Sequence, residues 1–269
     1  MNFRTLARLF FAVTMIAIGV IGIVGGGFSP IWRPVASGFP ARDPLAYFST
    51  LVSLVAGVGL LVKRTAAPAA LLLFVVFLAW VIVFKGPFVL QAPLVEGTYQ
   101  SIGENLTWLA AALLLYIQGR DGEREWFGRP VAQQAAYLLY GLALVAFGFS
   151  HFTYLELTAP LVPKWMQAPV FWAYLTGSAY LLSGVGLLSI VAARAGAALA
   201  AINIMLITLL VWGPMVVSGD LTAMHWQETV VSTAIMVSSW VVAASLNDRG
   251  WIELSGSRPA TGPPPLPSR

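Results

Sequence analysis

The chain has 269 residues, 58% of them hydrophobic and only 10% charged, with 15 Lys and Arg against 11 Asp and Glu. A soluble domain carries about 25% charged residues, so a water-soluble fold is excluded, and the apolar supply matches roughly eight membrane spans of about 20 residues each. Cysteine is absent, which removes disulfides, thiolate metal sites and cysteine nucleophiles, and the basic residues are scattered without the aromatic-interleaved stripe of a nucleic-acid binder.

In chain order, charge-poor runs predict helices over Leu9–Trp32, Leu45–Val62, Thr65–Phe84 and Asn105–Gln118, then Val131–Ser150, Ala168–Ala193, Ala195–Gly219 and Thr229–Asn247. The fourth run is short by itself. Beginning it near Ser101 makes it long enough to cross and puts Glu104 in its first turn, where Ser101-Ile102-Gly103-Glu104 reads as a capping box. A membrane barrel would show alternating segments of about ten residues; these are continuous runs with Gly, Ala and Ser interspersed, as packed membrane helices require. Arg4 and Arg8 before the first run look like a secretory leader, but no convincing small-x-small cleavage site follows, so the run reads as a retained span. The expectation is an all-α polytopic membrane protein with eight transmembrane helices arranged as two tandem four-helix bundles.

With the N-terminus inside, Arg4, Arg8, Lys63, Arg64, Arg120, Arg124, Arg129, Arg194, Arg249, Arg258 and Arg269 fall on the inner side. Only Arg33, Arg42, Lys85 and Lys164 fall outside. The positive-inside rule then puts both termini in the cytoplasm and the chain in the cell (inner) membrane.

The chain also repeats itself. Leu45-Ala46-Tyr47 with Ala56-Gly57-Val58-Gly59-Leu60-Leu61 recurs as Trp172-Ala173-Tyr174 with Ser183-Gly184-Val185-Gly186-Leu187-Leu188, and Gly86-Pro87 recurs as Gly213-Pro214 at the same spacing. Arg64 and Glu104 have approximate partners in Arg194 and Glu228, with small gaps. Four spans per half give both halves one orientation, so a pseudo-twofold axis along the membrane normal is expected. The expected units are a first repeat over 1–121, a charged cytoplasmic connector over 122–130, a second repeat over 131–247 and a Pro-rich disordered tail over 248–269.

In the second half, Phe147-Gly148-Phe149-Ser150-His151-Phe152, Leu161-Val162-Pro163-Lys164-Trp165, Tyr174-Leu175-Thr176-Gly177 and the Gly184-x-Gly186 segment resemble the DoxX-like family of four-helix membrane proteins. Gly103-Glu104-Asn105 through Gly119-Arg120-Asp121 resembles the fourth helix of that family, so residues 5–121 look like a diverged tandem copy. The resemblance implies association with quinone-linked oxidation or with a membrane oxidoreductase complex. The first half has Gly27-Phe28-Ser29-Pro30 where the second has Gly148-Phe149-Ser150-His151, so a histidine function can reside only in the second half.

Chemistry is expected in one outer layer. The two histidines, His151 and His225, fall at outer span ends, with Glu104 and Glu228 in the first turns of the fourth and eighth spans and Glu156 in the loop after His151. Ionisable residues in membrane segments are functional candidates, and His225 and Glu228, three apart, share a helix face. Histidine with a carboxylate is what proton handling beside a quinone needs. Trp32, Trp165, Trp172, Trp226 and Tyr154 mark an aromatic belt, where a quinone ring could stack on Trp165 and where Tyr174, with its repeat partner Tyr47, could donate to a carbonyl. Glu104 and Glu228 also read as helix caps, the paired glycines read as helix packing, and no metal-ligand spacing is present. The leading expectation is a membrane subunit of a redox assembly that binds a quinone or similar apolar ligand near the outer leaflet, with electrons supplied by a partner oxidoreductase subunit. A small-solute transporter and a scaffold or assembly factor without a ligand are the alternatives.

Overall fold

The computed structural model describes residues 1–36, 38–120, 128–189, 191–219 and 222–252. Most of the expected connector and all of the tail beyond residue 252 lie outside the described residues. Among the described residues there is helix and no strand. The long helices are α1 (Phe3–Gly25), α2 (Arg42–Leu61), α3 (Ala66–Gln91), α4 (Glu96–Gly119), α5 (Arg129–Thr153), α6 (Pro169–Ser189), α7 (Ala193–Ser218) and α8 (Ala223–Ser245).

Seven of these are long and apolar enough to cross a membrane; α4 is the exception. Its first half holds Glu96, Gln100, Ser101, Glu104 and Asn105, which lowers its apolarity although its 24 residues are enough to span. The chain is a multi-pass membrane protein on the strength of the other seven. Their surface chemistry is that of helices solvated by hydrocarbon. On α2 the small residues Ser49, Ser53 and Ala56 are buried while Leu51, Val55 and Val58 are exposed. On α6, Ser183 and Gly184 are inside while Leu182 and Val185 face out. Lipid tails are as apolar as leucine, so small residues that let backbones approach take the interface.

Glycine does this directly. A Cβ on Gly57 of α2 would stand 2.8 Å from Ile16 of α1, and one on Gly184 of α6 would stand 2.8 Å from Val145 of α5. The Gly-x-Gly segments are packing surfaces.

Two helices run further than their apolar runs suggest. The third expected span stops at Phe84, but α3 continues to Gln91 through a π-helical turn over Val81–Lys85, where the Gly86 N–H donates to the Val81 carbonyl. The extra residue of a π turn lets the Pro87 ring avoid the carbonyl four residues back, which would otherwise break the helix. The same device occurs in α7, with a π turn over Thr208–Trp212 ahead of Gly213-Pro214. Lys85, expected in an outer loop, is therefore inside a helix.

Each helix packs on its neighbours in chain order, α8 closes the series on α1, and α4 and α8 pack on each other across the middle. The halves meet along α1–α8, α4–α5 and α4–α8. Phe10 of α1 meets Trp240 of α8 edge-on at 5.2 Å across that seam, while within the second half the Tyr140 hydroxyl of α5 lies 2.5 Å from Ser239 of α8. The element bounds recur at one spacing: α2 and α6 begin 127 residues apart at Arg42 and Pro169, α3 and α7 at Ala66 and Ala193, the π turns at Val81 and Thr208, and α4 and α8 at Glu96 and Ala223. No gap intervenes. At that spacing Glu228 stands 127 positions after Ser101, and Val231 127 positions after Glu104.

Trp32 is a second correction. Expected in the interfacial belt, it is fully buried, its indole N–H donates to Ser53 Oγ at 3.0 Å, and its ring packs on Phe77 and Trp80. α1 ends at Gly25, short of the expected Trp32, and the chain folds back so that a short 3-10 turn over Pro30–Trp32 inserts between helices.

Candidate functional site

The π turn of α3 places Lys85 in the protein interior, where the residue is only 2% exposed. Its Nζ donates to the Arg33 carbonyl at 2.5 Å and to Ser101 Oγ at 2.7 Å. An amino group has three N–H donors, so two are used among the described residues. Glu104 lies three residues beyond Ser101 on α4, within electrostatic range of Lys85, of Glu228 on α8 and of Glu96 at the start of α4. Among the described residues no direct ion pair closes between Lys85 and a carboxylate.

The capping readings of both glutamates fail. α4 begins at Glu96, not near Ser101, so Glu104 is eight residues in, more than two turns along at 3.6 residues per turn. At the start of α8 the cap is Thr222, whose side chain accepts from the His225 backbone N–H at 3.1 Å, and Glu228 lies in the second turn. Glu104 and Glu228 lie within electrostatic range of one another because α4 and α8 pack across the middle.

Some buried polar atoms of α3 and α4 are incompletely satisfied. Asn105, fully buried on α4, donates from Nδ2 to the Ser101 carbonyl at 3.1 Å, while its Oδ1 has no hydrogen-bond partner among the described residues. The indole N–H groups of Trp80 on α3 and Trp108 on α4 are buried and likewise unpartnered there. An unmade buried hydrogen bond costs about 1–3 kcal/mol, so such orphans point to a missing partner.

The other expected residues are placed differently. His151 turns to its own half: Nδ1 is 2.8 Å from the Phe147 carbonyl and the ring packs on Tyr180. Its neighbour Ser150 faces α4 instead, donating to Glu96 Oε1 at 3.1 Å. His225 stands beside Trp212, the residue in Lys85's register position, with ring centroids 6.5 Å apart. Tyr174 is 39% exposed and packs on Phe152, Trp165 is 66% exposed, and Glu156 is exposed on a short turn. The structure gathers Glu104 and Glu228, and leaves Tyr174, Trp165 and Glu156 outside the cluster.

Lys85 is the residue that sequence reasoning missed. Its charge ends the apolar run at Phe84, which puts it among the outer-loop charges. The signal against that is Phe88-Val89-Leu90 beyond the proline, an apolar continuation shared with Met215-Val216-Val217 after Gly213-Pro214. Among the described residues no group of three or more His, Asp or Glu could hold a metal ion. The cluster can donate from Lys85, accept at Asn105 Oδ1, and take or release protons at Glu104 and Glu228.

Searches of protein-family models, curated proteins and solved structures find no match to this chain.

Proposed function

We propose that this chain is a membrane subunit that binds the polar head of a small, mostly apolar ligand of the quinone class at the Lys85–Glu104–Glu228 cluster between its halves. The observation that carries this reading is Lys85 itself. A buried amino group in a membrane protein, tied to Ser101 and the Arg33 carbonyl but not to a carboxylate, is costly unless it serves a site.

The donor set fits such a head. Lys85 can donate to a quinone carbonyl, and the unpartnered Asn105 Oδ1 can accept from a quinol hydroxyl. A quinone, when bound, supplies two-electron, two-proton redox chemistry. The protein's part is to orient the head from α3 and α4 and to hold protons at Glu104 and Glu228 beside it. The chain carries no electron carrier of its own that its sequence reveals, so a partner oxidoreductase subunit supplies electrons. The resemblance of the 147–188 segments to DoxX-like proteins and the uniform 127-residue spacing support reading the chain as two tandem four-helix repeats, each with four crossings, α4 among them. The excess of basic residues near one set of helix ends supports both termini in the cytoplasm of a cell with an inner membrane.

The test is titration of the purified full chain with a short-tailed ubiquinone or menaquinone analogue, read by quenching of tryptophan fluorescence. Saturable binding that weakens tenfold or more in Lys85→Met supports the proposal. Absence of binding to the wild-type chain, or equal affinity in Lys85→Met, overturns it. The paired π turns favour a second reading, small-solute transport, because interrupted helices at matching positions of two repeats mark transporter sites. Solute flux driven by a proton gradient in liposomes, without quinone binding, would select that reading. A reporter fused after Arg42 or Lys164 that reads as cytoplasmic would reverse the orientation.

A further inference from the structure

At the other end of α3 and α4 from Lys85, a cavity of about 250 Å³ opens between α1, α2, α3 and α4, lined by Asn2, Arg4, Thr5, Arg8, Lys63, Ala66, Gln118 and Gly119. We propose that this cavity binds a phosphate-bearing anion, either the headgroup of an anionic phospholipid or a soluble phosphate.

Three cationic side chains and no carboxylate stand on its wall. The two arginines are held in place by other groups. Arg4 donates from Nε to the Ala244 carbonyl at 3.3 Å and from Nη2 to Asp248, and Arg8 donates from Nη1 to the Leu60 carbonyl. A guanidinium has five N–H donors, so each keeps donors to spare in a fixed orientation, and the ordering cost of binding is reduced. Lys63 makes no hydrogen bond or ion pair among the described residues and is exposed, which leaves its amine available to a bound ion.

A second observation is independent of charge. Gln118, a residue of the cavity wall, holds its Nε2 buried with no acceptor among the described residues. The α1 N-terminus, capped by Asn2 Oδ1 accepting from the Thr5 N–H at 2.9 Å, adds the positive end of a 23-residue helix dipole. Fixed guanidinium forks suit phosphate oxygens, and basic pockets between membrane helices are where anionic headgroups bind. The volume admits a headgroup or a small phosphate and excludes a drug-sized ligand, which needs about 300–1,000 Å³.

The test uses the purified full chain in detergent and measures its thermal midpoint. Phosphatidylglycerol is compared with phosphatidylcholine at equal mole fraction, and inorganic phosphate with chloride at matched ionic strength. At a concentration a hundredfold above Kd the midpoint rises by roughly 5 °C or more. Lys63→Gln removes at least half of that rise, whereas Lys164→Gln, an exposed lysine far along the chain, leaves it intact. A rise with phosphatidylglycerol alone identifies a lipid site; a rise with inorganic phosphate as well identifies a soluble-anion site. No rise with either, a rise undiminished by Lys63→Gln, or equal losses in both lysine variants overturns the proposal.

Discussion

Lys85 Nζ reaches Ser101 Oγ at 2.7 Å, joining the π turn of α3 to α4, while the residues 127 positions later are Trp212 and Glu228. Matching backbone positions thus carry an amine and a hydroxyl in one half and an indole and a carboxyl in the other. These positions divide the chemistry between them, and the Glu228 carboxyl lies within electrostatic range of Glu104.

Lys85→Met keeps side-chain length and apolar volume while removing the donors. Ser101 Oγ and the Arg33 carbonyl each lose a partner, at about 1–3 kcal/mol apiece, while the desolvation cost of the buried amine disappears and offsets that loss, so stability should change little while ligand affinity falls at least tenfold. Fluorescence titration and thermal unfolding of the same preparation check both halves of that statement.

Glu104 and Glu228 should not act independently. Glu104→Gln and Glu228→Gln each reduce proton-linked activity, and the double variant costs less than the sum, with an interaction energy of about 0.5–3 kcal/mol. Strict additivity across the double-mutant cycle would mean that the two carboxyls do not share a site.

Pro87→Ala restores the missing N–H and removes the ring that the π turn accommodates. Reversion to regular α-helix shifts the register by one residue, turning Lys85 by about 100°. Ligand affinity should fall as far as in Lys85→Met. Pro214→Ala, acting on Trp212 instead, should cost less than half as much in the same titration.

Close approach of α5 and α6 depends on Gly184, where an added Cβ would lie 2.8 Å from Val145 and 2.9 Å from the Gly141 carbonyl. Gly184→Val should destabilise by about 1–3 kcal/mol through overpacking. Gly97→Ala, at a position with nothing within 4 Å, should leave the thermal midpoint nearly unchanged.

Trp165→Ala and Tyr174→Phe lie outside the Lys85 cluster and should leave ligand affinity within twofold of wild type. A large loss in either variant would move the site to the exposed belt, where the amphipathic rings first suggested it.

Long apolar runs located seven of the eight long helices, because burial in hydrocarbon demands about 20 apolar residues whatever the packing; α4, whose apolar run is short, was reached only by extending it through polar residues. Failure came at polar residues whose location depends on packing. Ser101 and Glu104 have capping-box spacing, yet α4 starts five residues earlier at Glu96, since Gly97 to Gln100 are polar enough to look like a loop. Lys85 precedes Gly-Pro, which reads as a helix end until the π turn is seen. Trp32 reads as an interface residue because one fully inserted between helices has the same neighbours in sequence. The opposition of Glu104 and Glu228 was legible only as a shared layer; their proximity follows from α4 packing on α8, which no local pattern encodes.

Packing of α8 on α1 has a consequence for how the molecule is made. α1 leaves the ribosome with Phe10 facing a partner, Trp240, encoded 230 positions later, so that flank of α1 must wait in lipid, or against the insertion machinery, until α8 has been made. α8 also contributes Glu228 and lies against α4. Truncation anywhere before Ala223 would therefore leave α1 unpartnered on one side and Glu104 without its opposing carboxyl, a product that quality-control proteases can recognise as an open seam.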